Sequence, residues 1–165
     1  MNRKLVILVV AIVAIVAIVA VFLVPLLLGG FGPPVDVYAR PTPSTSASPE
    51  SLLPGQVAGG NQLLSVVTDQ GSGWVDAIGT YEGNIEIEIT LWTFSGDATA
   101  YLSGTAEFWR DRSGSTTSAQ AGEVHWFTHN ESGLSIFGWR KDVWTFEVYA
   151  PNATMRNQVV EELPF

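Results

Sequence analysis

His125 and His129 stand four residues apart in the pattern HxxxH, with Glu123 and Glu131 just outside them. On a helix this spacing places two imidazoles on one face, ready to hold a metal ion. On a strand the same rings are about 13 Å apart and cannot share one ion. Val124, Trp126, Phe127 and Thr128 are β-branched or aromatic, so a strand is expected and no metal ligand set is predicted.

Glu86 and Glu88 form a second pair. In an alternating strand they point to one side, about 7 Å apart, within the range used by paired carboxylates in glycoside hydrolysis. The same spacing suits a weak Ca²⁺ site. Alternating strands produce such pairs routinely, so Glu86 and Glu88 are expected as solvated carboxylates with at most a binding role. The chain has no GxSxG, no phosphate-cradling glycine loop and no local Ser/His/Asp signature. No catalytic residue, metal or cofactor is expected, and the chain does not read as an enzyme.

Aromatic residues offer a different chemistry, because exposed Trp and Tyr stack on sugars or anchor a protein partner. Trp92 and Trp139 are expected to be the exposed pair, completing a candidate binding surface with Glu86 and Glu88. Tryptophans also fill the cores of small domains. Asn130 and Asn152 each open an NxS/T sequence and are candidate glycosylation sites. Asn152 is equally suited to cap a helix.

The elements that must position these residues follow from periodicity. "NIEIEITLWTF", residues 84–94, alternates with Ile85, Ile87, Ile89 and Leu91 on one face, which predicts a half-buried strand. "WVDAIGTY" reads as its hairpin partner and "QLLSVV" as an earlier strand. Asp97 is expected to cap a helix whose Ala98, Tyr101, Leu102, Ala106 and Trp109 fall at helical spacing. "SGSTTSAQAG" reads as a flexible loop, "EVHWFTH" as a strand, and "LSIFGW" with "VWTFEVYA" as a hairpin around Arg140–Asp142. A last helix opens at Pro151 and Asn152, with Met155, Val159 and Leu163 in one stripe. The expected fold class is α+β: a transmembrane helix, then an antiparallel sheet of about six strands with two helices packed on one face.

That transmembrane helix is Leu5–Leu28, 24 residues without a charge. At about 1.5 Å of rise per residue a helix of this length spans about 36 Å, more than the roughly 30 Å hydrocarbon core. In lipid only a helix satisfies its own backbone, whatever the β-branched content. A cleaved signal peptide needs a shorter core and a nearby AxA site, and "VYA" at 37–39 comes late. Arg3 and Lys4 keep the amino terminus cytoplasmic, so the remainder is expected outside. Ala11, Ala14, Ala17 and Ala20 recur every third residue and therefore spiral around the helix instead of lining one face. Lipid is the partner this predicts, with a larger membrane protein as the alternative.

Six of the nine prolines fall in residues 29–54, which read as a Pro/Ser/Thr-rich tether. The organisation is thus a cytoplasmic tail over 1–4, the membrane helix over 5–28, the linker over 29–54 and an extracytoplasmic domain over 55–165. From Ser51 onward five basic residues face fourteen acidic ones, a net charge of −9. That sign repels phosphate backbones and excludes nucleic acid as a partner. Cysteine is absent, so disulfides, thiolate metal sites and a lipidated thiol are excluded.

"LLPGQVAGG", the polar helix after the third strand and the "FGWRKDVWTFEVYAP" hairpin resemble small membrane-anchored or lipoprotein-like extracytoplasmic domains of archaea and bacteria. The resemblance covers roughly residues 52–165 and implies fold and topology, with no catalytic residues. The function expected is non-catalytic: a protein-binding module or accessory subunit of a membrane or cell-surface assembly, with an envelope glycan-binding module as the alternative and a hydrolase behind both.

Overall fold

The computed structural model describes residues 33–165. The tail expected over 1–4, the membrane helix over 5–28 and the start of the linker lie outside the described residues. No described helix is long and apolar enough to cross a membrane.

Eight strands and two α-helices, with short 3-10 turns at Pro49–Leu52 and Ala58–Gly60, make up the described domain. The strands are β1 (Gln56–Val57), β2 (Asn61–Gly71), β3 (Trp74–Tyr81), β4 (Ile85–Trp92), β5 (Ser115–Ala121), β6 (Val124–Glu131), β7 (Leu134–Lys141) and β8 (Trp144–Ala150). The helices are α1 (Ser95–Arg110) and α2 (Ala153–Glu162). One sheet has the order β1-β2-β3-β4-β8-β7-β6-β5, with every neighbouring pair antiparallel. The expected α+β class and antiparallel sheet are present, but the strand count is eight, not six. The two additions are β1, only two residues long, and β5. The latter was expected as a loop because "STTSAQA" has no apolar alternation; it is an edge strand held by its ladder to β6.

The order divides the sheet into two meanders, β1–β4 and β5–β8, that meet where β4 pairs with β8. After β4 the chain must therefore travel from the middle of the sheet to its far edge. α1 makes that crossing, so it lies over the β5–β8 half of one face. Its Leu102 and Ala106 pack there on Phe127 and Ile136. The helix starts at Ser95 after Phe94, which gives no side-chain cap; Asp97, expected as the cap, sits in the first turn.

α2 packs on the opposite face. Val159, Val160 and Leu163 join Ile85, Ile87, Ile89, Phe137, Trp139, Trp144, Phe146 and Val148 in the main core. The expectation of two helices on one face is therefore corrected. The cause is that β6, β7 and β8 are buried on both sides: adjacent Trp126 and Phe127, and adjacent Ile136 and Phe137, are all at most 3% exposed. Asn152 caps α2 as expected, accepting from the backbone N–H of Met155 at 2.9 Å.

Residues 33–54, whose composition reads as a tether, lie against the main core. Val35 and Val37 are buried in that core, and Leu52 and Leu53 pack against it. Arg40 donates to the carbonyls of Val160 and, at 2.7 Å, Leu163, at the end of α2. Three ring donors hold the strap: Trp144 Nε1 to Pro43 O, Trp126 Nε1 to the Tyr38 hydroxyl, and the Tyr81 hydroxyl to Pro54 O. A few scattered aliphatics and the prolines' own carbonyls are enough to fix the segment once the sheet offers donors. The composition alone carries no sign of those donors.

Candidate functional site

In an antiparallel sheet, residues in register share a face. Val67, Ile78, Glu88, Glu147, Gly138 and Phe127 therefore form one row across the α1-bearing face. Beside it runs a second row, Asp69, Asp76, Thr90, Thr145 and Arg140. Because α1 covers the other half of the sheet, the β2 end of these rows faces solvent, where Val67 is 60% exposed.

At the boundary between covered and open sheet lies a cleft of about 130 Å³ lined by Trp74, Asp76, Glu88, Thr90, Trp92 and Tyr101. Trp74 and Trp92 are cross-strand partners. The Tyr101 ring, carried in by α1, stands 5.1 Å from the Trp92 ring at 40°. The Tyr101 hydroxyl donates to Glu88 Oε1 at 2.8 Å, Thr90 Oγ1 donates to Asp76 Oδ1 at 3.1 Å, and Trp92 Nε1 donates to Thr145 Oγ1 at 3.0 Å. Tyr101, Thr90 and Trp92 are thus each oriented by a hydrogen bond to another element.

Next to the cleft, Glu147 is 1% exposed; its Oε2 accepts from the Tyr149 hydroxyl at 2.6 Å, while Oε1 has no hydrogen-bond partner. Burial, and then the facing Glu88 carboxylate, push Glu147 up to about 8. Burial also pushes Glu88 up to about 7, with Asp76 and Glu86 adding to the rise and the Tyr101 bond opposing it. Asp76 is raised chiefly by burial. Among the described residues no Lys, Arg or His nitrogen lies within 4.0 Å of these three carboxyls. The site is an aromatic cleft with buried acidic groups at its base and no basic side chain beside them, which suits a cation or a hydrogen-bond donor.

The residues singled out by sequence fare differently. Glu88 and Trp92 come together in this cleft. Glu86 lies outside it, half-buried across from Tyr149, so Glu88 shares the cleft with Asp76 instead. Trp139, expected at the surface, is fully buried between Phe137 and Phe146, with ring centroids at 5.2 and 5.0 Å. Its displacement from the surface follows from the two-sided burial of β7.

His125 and His129 both lie on strand β6. His129 is buried against Trp109, 4.9 Å away, and its Nδ1 meets Thr116 Oγ1 at 2.9 Å. Among the described residues no group of three or more metal-ligating side chains comes together. Asn130 is exposed and its side-chain oxygen accepts from Ser135 and Arg156, while that of Asn152 serves the α2 cap. Asp76, Tyr101 and Glu147 were missed. The only signal from Asp76 and Glu147 was a charge inside an otherwise apolar strand, in "WVDAIG" and "WTFEVY", and Tyr101 showed only as a member of the helix's apolar stripe.

No protein-family model matches the chain. The comparison with curated proteins gives no match. Among solved structures, a GTP binding regulator from Thermotoga maritima matches at 14% identity and a TM-score of 0.49, over 74% of this chain and 91% of that one.

Proposed function

We propose that this chain is a single-pass, membrane-anchored extracytoplasmic domain that acts without catalysis, binding another protein as a recognition module or an accessory subunit of a membrane or cell-surface assembly. The 24-residue apolar run behind Arg3 and Lys4 supports the anchor and its orientation. The resemblance of residues 52–165 to membrane-anchored or lipoprotein-like domains agrees with that placement. The observation that carries the binding role is the uncovered end of the α1-bearing face, where exposed Val67 lies in the same cross-strand row as Glu88 of a cleft walled by Trp74, Trp92 and Tyr101. Such a combination of rigid aromatics and open apolar surface is what protein interfaces use as anchors. A surface glycan is the second reading, favoured by the half-exposed Trp74 and Trp92 rings.

The test is made on the full-length chain in cells. A photo-crosslinking residue at Val67 should give one discrete, stoichiometric protein adduct, and the same residue at exposed Glu161 on α2 should not. Protease added to intact cells should remove the domain, and alkaline carbonate should leave the chain in the membrane. A domain shielded until the cells are opened, or a chain washed off by carbonate, overturns the anchor. Equal labelling from both positions overturns the binding surface.

A further inference from the structure

We propose that the cleft between Trp74, Trp92 and Tyr101 receives the ε-ammonium group of a lysine on the protein partner, with Glu88 and Asp76 as its counter-charges. This rests on the protein-binding reading above and names the chemistry that the partner must present.

The walls favour an organic cation over a neutral apolar group. Aromatic faces attract a cation within about 6 Å of the ring, the more so where water is partly excluded. Glu88 and Asp76 line the same cleft, and among the described residues no basic nitrogen within 4.0 Å neutralises either one. A neutral apolar ligand would offer those carboxyls neither a donor nor a counter-charge. The domain as a whole repeats the sign, with a net charge of −9 from Ser51 onward, so a basic segment is drawn toward it before contact.

Lysine fits better than arginine. A guanidinium is a planar fork that prefers both oxygens of one carboxylate, whereas an ammonium is a compact charge with three rotatable donors. Here Oε1 of Glu88 is taken by the Tyr101 hydroxyl and Oδ1 of Asp76 by the Thr90 hydroxyl. Neither carboxylate presents two free oxygens, and the two stand on neighbouring strands, offset by two residues of register. Single contacts to each are what remain. At about 130 Å³ the cleft has room for an ammonium and its adjoining methylenes.

Glu147 adds an independent observation. Its side chain is 1% exposed and its Oε1 has no partner, directly across the strand pair from Glu88. A buried polar atom left this way costs free energy. A cation on Glu88 offsets the repulsion that Glu88 otherwise exerts on it. A cation in the cleft thus acts on Glu147 through Glu88, its cross-strand neighbour.

The probe is n-butylammonium chloride, titrated into the full-length chain in neutral detergent micelles while the indole N–H resonances of the six tryptophans are followed. Trp74 and Trp92 should shift saturably, with a dissociation constant on the order of millimolar. n-Butanol, which has the same stem without charge, should leave them in place. Binding should strengthen at least about fivefold between pH 5.5 and pH 8.5, as Glu88 ionises. E88Q should weaken it about tenfold, and D76N should weaken it as well. n-Butylguanidinium should bind more weakly than n-butylammonium.

Equal shifts with butanol, or no saturable shift in the wild-type chain, overturn the proposal without recourse to any variant. Binding unchanged in a folded E88Q chain also overturns it. Saturable ammonium binding without any crosslinked protein from Val67 leaves the cleft chemistry standing and removes the protein-binding reading. A crosslinked partner without ammonium binding does the reverse.

Discussion

Glu88 and Glu147 stand directly opposite one another on adjacent antiparallel strands, β4 and β8, each accepting a hydrogen bond from a different tyrosine. Like charges so placed repel, and burial makes both charged forms costlier still. The pair is arranged to keep protons at pH values where exposed carboxyls have lost theirs.

Stability should therefore fall as pH rises. Both carboxyls have folded-state values raised from 4.5, to about 7 for Glu88 and about 8 for Glu147. The folded chain then binds protons that the unfolded chain has released. The contribution is fully present below about pH 4.5 and is lost as pH climbs through 7 to 8. Urea melts between pH 4.5 and pH 9 check this: the midpoint should drop, and Glu147→Gln should remove most of the slope. A wild-type midpoint that holds steady or rises would show that the pair carries no proton.

Much of this arrangement was written in the chain, but not all in the same way. The Ile85, Ile87 and Ile89 alternation marked β4, and the apolar spacing of Ala98, Leu102 and Ala106 marked α1. The near-continuous apolar runs in β6 and β7, such as "HWF" and "SIFGW", already signalled burial on both faces. Helices on opposite sides of the sheet follow from that. By contrast β5 has only small and polar residues, so its place comes from pairing with β6 and not from any pattern of its own. Glu88 was visible as half of an alternating pair. Its true neighbours Asp76, Glu147 and Tyr101 arrive from three other elements, and only the β4–β8 pairing and the crossing of α1 bring them together.

The strap formed by residues 33–54 should depend on Arg40. Its guanidinium reaches the carbonyl of Val160 in the last turn of α2, which also accepts from the backbone N–H of Leu163, and the carbonyl of Leu163 just beyond the helix, and its charge opposes the negative end of the helix dipole. Arg40→Gln should cost about 1–3 kcal/mol, the range for hydrogen bonds to a charged group. Hydrogen exchange at Val35 and Val37 should accelerate more than exchange in β4. Uniform acceleration across the sheet would mean that the strap has no opening of its own.

Two tryptophans give opposite forecasts. Trp139 is fully buried and stacked on both sides, so Trp139→Ala should cost about 3–5 kcal/mol through the cavity it leaves. Trp92 stands half-exposed at the cleft, and Trp92→Ala should cost well under half of that while abolishing butylammonium binding. Thermal melts of the two variants, run side by side with the titration, separate packing from recognition.

Gly138 shows how closely the sheet and α1 are fitted around the carboxyl pair. It sits in register between Glu147 of β8 and Phe127 of β6, and a Cβ added there would lie 2.2 Å from Phe127 Cε1 and 2.8 Å from Cδ1. The Phe127 ring thus lies over the bare backbone of Gly138, and Leu102 and Ala106 of α1 close over the ring. Gly138→Ala should displace that ring into α1 and cost about 1–3 kcal/mol, the range for overpacking a filled core. If the ring moves, Tyr101 on the same helix moves with it, so its bond to Glu88 should weaken and the pH slope of stability should change in the same variant. The double variant Gly138→Ala with Phe127→Leu, which clears the space, should recover part of the loss. A single variant as stable as the wild type, with an unaltered pH slope, would mean that Phe127 has room to turn and that α1 is not tied to the carboxyl pair through this contact.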